Sequence, residues 1–425
     1  MSFMKVFKFG GASLENAERI RNVGNILKSF PDEPLLVVIS AMGKTTNELE
    51  KVAENYFRRK REIAAQLLHN IRQQHWEVAV ELLGTEDDSL FDEYRQFFAE
   101  TEWILGNKPY HAYDYYYDQI VSLGEMLSSL LLSAYLKKEK CLNKWVDVRD
   151  IIRTDDTYRD GNIDWEFTQQ QVTRRVEPLF SETSLIITQG FIGATAENNT
   201  TTLGREGSDY TAAVFTNMLN AESLSIWKDV DGLKNADPKL FEDTVNIAEI
   251  NYREVIEMAY YGAQVIHPKT IKPLQNKKIP LYVKCFLNKD LPGTLIHEDA
   301  DIRNLPPIIV LKQNQMLLTL GSRDFSFVTE DKLSDIYDIF HALKIKINLM
   351  QNGAISFSCC IEHNAEKIES LIKKLHQDFT VSYDEGLQLL TVRHYQPELV
   401  ERLAGDKAVL LEQRSGQTVQ IVLKS

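Results

Sequence analysis

Apolar and polar positions along the first 300 residues keep changing period. "MKVFKFGG" reads as a strand from Met4 to Phe9 that ends on two glycines. Leu14, Ala17, Ile20, Val23, Leu27 and Phe30 then recur at three- and four-residue spacing, the period of an amphipathic helix. Ser13 is placed to cap that helix, and Glu15 and Glu18 suit its positive end. "PLLVVISAMG" is continuous in apolar residues, as buried parallel strands are. From Thr46 to about Arg95 the chain reads as mostly helical and highly charged, "PYHAYDYYYDQI" as an aromatic-rich connection, and a further helix starts near Glu125. Strands are expected at "KWVDVRDII", "SLIITQGF", "SLSIWKDV" and "PLYVKCF", with helices at Trp165–Phe180, Tyr210–Leu219 and Tyr252–Tyr261. This alternation predicts an α/β fold with a mostly parallel sheet between helices, whose site lies on loops at the carboxyl ends of the strands.

After the polar, proline-ended stretch 299–307, taken as a linker, the units shorten. "PIIVLKQNQMLLTL", "VTEDKLSDIYDIFHAL", "KIKINLM", "AISFSCCIEH", "AEKIESLIKKLHQDF" and "TVSYDE" spell β-α-β-β-α-β, the ferredoxin-like α+β order, over 308–386. "LQLLTVRHY", "QPELVERLAG", "KAVLLEQR" and "TVQIVLKS", within 387–425, start a second such unit and stop at β-α-β-β.

Composition narrows the classes. A chain of 425 residues suggests roughly two to four domains, and 44% hydrophobic residues suffice for real cores. A net charge of −13 argues against nucleic acid as a partner. The four cysteines form no C-x-x-C pair; in a strand, Cys359 and Cys360 would point to opposite faces as buried, reduced thiols. The first residues lack a signal-peptide core, and the longest strongly apolar run, near "LLVVISAM", is too short to span a bilayer. A cytoplasmic protein without membrane association is expected.

The chemistry concentrates in short motifs. In "KFGGAS", Lys8 sits at a strand end just before Gly10 and Gly11, where backbone can approach a ligand and amides attract phosphate. "SAMGKTT" is no Walker A loop, because Val38 stands where its first glycine should be. "DVDG" lacks the remaining ligands of a calcium loop, and with no H-E-x-x-H and no dense Cys/His cluster, no protein-only metal site is expected. Glu125 closes "SLGE", where Ser122 and Glu125 also have capping-box spacing. Asp209 follows Ser208 and could equally be a first-turn acid behind a serine cap. Arg205, between Gly204 and Gly207, can grip a carboxylate in a two-point fork. Glu206 beside it fits such a loop if its carboxylate turns outward or pairs with a lysine.

The ordered set "KFGGAS", "VVISAMGKTTN", "SLGE", "TQGFIG", "TTTLGREGSDYTAA", "WKDVDGLKNADPK" and "YGAQVIHP" resembles the aspartate kinases of the amino-acid kinase family, over about residues 3 to 298. The C-terminal part resembles, more weakly, the ACT regulatory domains of these enzymes. The resemblance implies a catalytic domain at 1–298 with a helical insertion at about 46–118. It implies transfer of a phosphoryl group from ATP, with Mg²⁺, to the side-chain carboxylate of L-aspartate. The product would be 4-phospho-L-aspartate, in the first step toward lysine, threonine and methionine. Lys8 then stabilises the transferring phosphoryl group and Asp209 organises Lys8. Thr46, Asn47, Glu125, Phe191, Arg205 and Ser208 bind aspartate, with Glu125 on its ammonium and Arg205 on its α-carboxylate. Gly10, Gly11, Ser40, Lys228, Asp229, Lys234, Asp237, Lys239 and Gln264 bind nucleotide alongside Lys8. The chain departs from the family pattern at Ala12 (usually threonine), Glu206 (glycine), Lys239 (arginine) and Gln264 (often lysine). A homodimer joined through the ACT-like region is implied, with lysine or threonine as feedback effector; a purely structural dimerisation tail is the alternative.

Overall fold

The computed structural model describes residues 4–31, 33–84, 88–263, 266–324 and 326–424. The chain forms two compact units, one of residues 1–233, 246–256 and 265–302, the other of 234–245, 257–264 and 303–425.

In chain order the elements up to residue 218 are β1 (Lys5–Phe9), α1 (Ala17–Lys28), β2 (Leu35–Ile39), α2 (Thr45–Phe57), α3 (Arg61–Leu83), α4 (Asp88–Gly106), α5 (Tyr113–Val121), α6 (Leu123–Lys138), β3 (Lys144–Val146), α7 (Trp165–Gln171), β4 (Leu185–Gln189), β5 (Ile192–Ala194), β6 (Thr200–Thr202) and α8 (Gly207–Met218). Then come β7 (Ser223–Lys228), β8 (Leu233–Lys234), β9 (Asn246–Ile247), β10 (Glu249–Ile250), α9 (Tyr252–Tyr261), α10 (Pro268–Lys277), β11 (Leu281–Cys285) and β12 (Thr294–Ile296). The remainder is β13 (Ile308–Ser322), α11 (Glu330–Ala342), β14 (Ile347–Asn352), β15 (Ser356–Glu362), α12 (Ala365–Leu375), β16 (Phe379–Arg393), α13 (Pro397–Ala404), β17 (Val409–Ser415) and β18 (Thr418–Lys424).

The first unit is built on an eight-stranded sheet ordered β10-β12-β11-β7-β1-β2-β4-β3. Its pairings are parallel except β11 with β12. β1 has β2 on one side and β7 on the other, so the connections reverse direction at the sheet centre. That switch point opens a crevice at the carboxyl ends of the strands. All five residues of β2 are buried, which is why they read as an unbroken apolar run. The stretch that is long and apolar enough to cross a membrane by composition is not "LLVVISAM" but 113–138, spanning α5 and α6. It belongs to the core: 89% of its most apolar window is buried, and Leu127, Leu131, Leu132 and Leu136 pack with Val37, Ile187 and the helices α2–α4.

Three local readings need correction. Asn16 rather than Ser13 caps α1, accepting the Arg19 N–H, while Ser13 closes a 3-10 turn by bonding the Gly10 carbonyl. The helix from Trp165 is α-helical only to Gln171 and continues as a π segment and a 3-10 turn to Ser181. The "aromatic connection" is α5.

The second unit carries an antiparallel six-stranded sheet ordered β14-β15-β13-β16-β18-β17. Its first four strands have the ferredoxin-like order. "TVSYDE" and "LQLLTVRHY", read as separate strands, are one 15-residue strand, β16, which passes residue 386 unbroken with Gly386 at φ +68°. Residues 308–312 of β13 pair with 389–393 of β16. The incomplete repeat therefore gains a fourth strand from the start of β13, giving β13-β16-β18-β17, and what it lacks is a second helix. Cys359 and Cys360 are free, buried and in different apolar clusters, on opposite faces of β15.

Candidate active site

β1 delivers Lys8 to the switch point, in register with Val38 of β2 and Ile226 of β7. Its Nζ lies 2.6 Å from Oδ1 of Asp209, in the first turn of α8, and both side chains are nearly buried. Burial pushes the Asp209 carboxyl up, but the Lys8 and Lys228 charges outweigh it and hold Asp209 below the usual carboxylate range. The pair is therefore a fixed, ionised couple at the end of the central strand. α8 starts from Glu206 with no side-chain cap, so Ser208 is not the cap behind which Asp209 would be a mere helix-start acid.

The two glycines of "KFGG" have distinct reasons. A Cβ on Gly11 would fall 2.5 Å from the Gly43 carbonyl oxygen, and the Gly43 N–H donates back to Gly11 O at 3.0 Å. The loops after β1 and β2 are thus stitched back to back, which only glycine permits. A Cβ on Gly10 would sit 3.4 Å from Lys8 Nζ, at the ammonium itself. Gly190 and Gly207 make similar room: a Cβ on the first would strike Ser208, and on the second Phe191. Phe191 itself holds φ +71° and donates its N–H to Thr211 Oγ1.

Glu125 is not a capping-box partner. Ser122 makes no side-chain cap and bonds Gln119 O instead. The Glu125 carboxylate is 2% exposed; Oε1 accepts the Ala41 N–H at 3.2 Å, and Oε2 has no hydrogen-bond partner in the protein. Burial pushes its pKa up to about 8, despite the Ala41 N–H and the Lys8 charge. A buried acid with one unpartnered oxygen is the group that a ligand cation would complete.

Arg205 is exposed at the rim. Glu206 neither turns freely outward nor pairs with a lysine: its Oε2 accepts the backbone N–H of His267 at 2.9 Å, and its backbone is left-handed at φ +54°. The position thus has a conformation that glycine adopts without strain, and here a glutamate is held in it by a hydrogen bond to the segment preceding α10.

These groups surround one cavity of about 660 Å³. Lys8, Gly10, Gly11, Ser40, Thr46, Glu125, Phe191, Arg205, Ser208, Asp209, Lys228 and Asp229 all line it. Asn47, one residue along α2 from Thr46, is exposed and does not. Lys234, Asp237 and Lys239 do not line it either; they belong to the second unit, where Lys234 Nζ reaches Thr244 Oγ1 and Asp237 accepts the Lys239 N–H. Gln264 lies outside the described residues. Sequence reasoning missed Glu50, Tyr117, Arg159 and Trp227, which also line the cavity. The "RDG" turn signal at Arg159–Gly161 marked a turn but not what it faces.

The Amino acid kinase family model matches residues 4–285. Lysine-sensitive aspartokinase 3 of Escherichia coli is 30% identical over 401 residues, 92% of this chain and 87% of that protein. The chain belongs to the aspartokinases of the amino acid kinase family. A bifunctional aspartokinase/homoserine dehydrogenase 2 of Arabidopsis thaliana is 28% identical over 90% of the chain, which spans only 42% of that longer relative. Among solved structures, E. coli aspartokinase III in complex with aspartate and ADP superposes with a TM-score of 0.81 at 26% identity, covering 99% of this chain and 96% of that one. The same aspartokinase in complex with lysine and aspartate gives 0.82 at 26% identity, over 99% and 95%. The mostly parallel sheet followed by an antiparallel β-rich region is the architecture of these aspartokinases.

Proposed function

We propose that this chain transfers the γ-phosphoryl group of ATP to the side-chain carboxylate of L-aspartate, giving 4-phospho-L-aspartate and ADP. The observation that carries the reading is the Lys8–Asp209 couple at 2.6 Å, in one cavity with the half-satisfied Glu125 and with Arg205. Glu125 Oε2 takes the substrate ammonium and Arg205 the α-carboxylate, which leaves the side-chain carboxylate pointing toward Lys8. Thr46, Ser208 and Phe191 line the space between; Asn47 is retained only as an entrance residue. One side-chain oxygen attacks the γ-phosphorus as the bond to the β–γ bridging oxygen breaks. Lys8 neutralises charge on the transferring group, and Asp209 keeps the ammonium aimed. Gly10, Gly11, Ser40, Lys228 and Asp229 offer the phosphate end of a nucleotide site. Mg²⁺ enters as part of MgATP. Among the described residues no group of three His, Cys, Asp or Glu is placed to hold a metal alone.

The related aspartokinase III is solved in complex with aspartate and ADP and in complex with lysine and aspartate, which supports the substrates and lysine as an effector; threonine is the alternative effector to test. The ACT-like sheet ends in β14 and β17, edges whose natural cover is a second copy of the chain. Incubation with ATP, Mg²⁺ and hydroxylamine should yield the acyl hydroxamate with aspartate and little with glutamate. Hydroxamate from glutamate alone would overturn the reading. Lysine or threonine should lower that rate, and a dimer insensitive to both would make the tail purely structural.

A further inference from the structure

We propose that Arg159 is a specificity-determining residue, a second guanidinium at the substrate-carboxylate end of the cavity, and that Asp118 positions it. The inference rests on the aspartate-kinase reading and assigns a residue that the family motifs do not contain.

The turn that carries Arg159 is tied from within and from below. Asp155 closes it by accepting the Thr157 N–H at 3.2 Å, the Asn162 N–H at 2.9 Å and the Asn162 side-chain amide at 2.8 Å. Arg159 itself holds φ +69°, a conformation that a long side chain rarely adopts unless its surroundings impose it. Asp118 of α5 imposes it. This carboxylate is fully buried and accepts the Arg159 N–H at 3.0 and 3.2 Å, the Thr202 N–H at 2.8 Å and the Thr202 hydroxyl at 2.7 Å. A single buried acid therefore joins the Arg159 turn to the end of β6, from which the chain runs straight into Gly204 and Arg205. Gly204, at φ +76°, packs directly on the turn, since a Cβ there would lie 2.7 Å from Asp160 Oδ1 and 3.2 Å from the Arg159 carbonyl oxygen. Asp160 in turn pairs with Lys269. The turn and the Arg205 loop form one rigid wall.

On that wall the Arg159 side chain is arranged as a ligand-binding cation is. Its guanidinium lies 4.2 Å over the Tyr117 ring, which fixes its plane. Its carboxylate neighbours, Asp114 at 3.4 Å and Glu50 at 3.6 Å, stand beyond the roughly 2.7–2.9 Å of a good charge-assisted bond. Both pairs are partly exposed and contribute little by themselves. Arg159, Glu50 and Tyr117 line the same cavity as Arg205 and Glu125. Fork-shaped donors held in place but loosely paired suit the free carboxylate of an incoming amino acid. Two guanidiniums at that end would make the site discriminate a free α-carboxylate from its ester or amide.

The test uses the full chain at saturating ATP, with aspartate and its α-methyl ester as substrates. Arg159→Gln should raise the aspartate KM about tenfold, the loss of one charged hydrogen bond, with kcat and the ATP KM unchanged. The preference for aspartate over the ester should shrink by the same factor. Asp118→Ala should reproduce the KM effect. Asp118→Asn, whose amide can accept both N–H groups and donate to the Thr202 hydroxyl, should restore it. In the double variant Arg159→Gln/Asp118→Ala the two effects should not add. If the wild-type protein forms no aspartyl hydroxamate, the functional reading itself fails. If it does, and Arg159→Gln leaves both the KM and the aspartate-to-ester ratio unchanged, the Arg159 assignment is wrong. Additive effects would remove Asp118 as its positioner.

Discussion

If Glu125 receives the substrate ammonium, as proposed, aspartate binding is a proton-linked event. Without ligand, its pKa is pushed up to about 8 by burial, against an ordinary 4.5. At about 1.4 kcal/mol per unit, holding it ionised costs on the order of 5 kcal/mol. At pH 7 the free protein carries it mostly protonated. An aspartate ammonium beside Oε2 reverses the balance, so binding releases a proton whenever the pH is below that pKa. The sign follows: the aspartate KM should fall as pH rises, by about fiftyfold from pH 6 to pH 8, then level off. The ATP KM should stay flat, since the proposed nucleotide contacts do not include this acid. Steady-state kinetics across that range, with each substrate varied at saturating levels of the other, measures it.

The same shift has a stability consequence of definite direction. Between the ordinary carboxylate pKa and about 8 the folded protein binds a proton that the unfolded chain does not. Ligand-free stability therefore falls as pH rises through that window. Glu125→Gln can still accept the Ala41 N–H and never ionises. Its melting temperature should exceed that of the wild type at pH 8.5 and approach it near pH 4.5, while its aspartate KM should be high and independent of pH. An aspartate KM flat from pH 6 to 8.5 in the wild type would refute the assignment of Glu125 to the ammonium.

Lys8→Ala should fold and bind aspartate but turn over about 10²–10³ more slowly, the usual effect of removing one preorganised charge from a developing anion; pre-steady-state phosphoryl transfer measures it. Asp209→Asn should slow turnover as well while leaving KM values close to wild type, provided Lys8 loses its aim and not its presence. Arg205→Ala should raise the aspartate KM by at least about tenfold and leave the ATP KM alone, and a rise in the ATP KM only would assign the arginine to the other substrate. Glu206→Gly places a residue suited to φ +54° where a glutamate now sits, so aspartate binding should survive; its collapse would show that the carboxylate belongs to the pocket.

Elements whose burial is one-sided or complete were legible in the sequence. β2 is apolar throughout because both of its faces are covered, and α1 shows its period because one face meets the sheet. α9 was read at its observed bounds. What escaped was set by tertiary contacts. α5 is rich in tyrosine because its rings pack on α2 and on one another, Tyr56 against Tyr116 and Phe57 against Tyr113, and an aromatic-rich run of this kind looks like a connection. The hairpin of β5 and β6 has strands of three residues, below the length at which alternation can show. α10 contains Pro273 and carries little helical signal before its fold context is known. β16 looked like two strands because Gly386 interrupts its pattern, although its backbone continues to pair on both sides of the glycine.

The site divides along the same line. The placement of Lys8, Gly10 and Gly11 at the cavity was legible because the strand end and the glycine pair are written in adjacent residues. Glu125 was ambiguous, since a serine three residues before a glutamate has two physical uses, and only its depth in α6 decides between them. Asp118 and Arg159 are 41 residues apart, and nothing near either one signals the other. An arginine with positive φ and a buried acid in a tyrosine-rich helix become a linked pair only when a backbone N–H crosses that gap. That bond also explains why the acid tolerates burial: it satisfies four donor contacts from two segments that must stay together for Arg205 to face the cavity. If the Arg159 proposal holds, residues of this kind select the substrate of a shared loop while lying outside the motifs by which the loop is recognised.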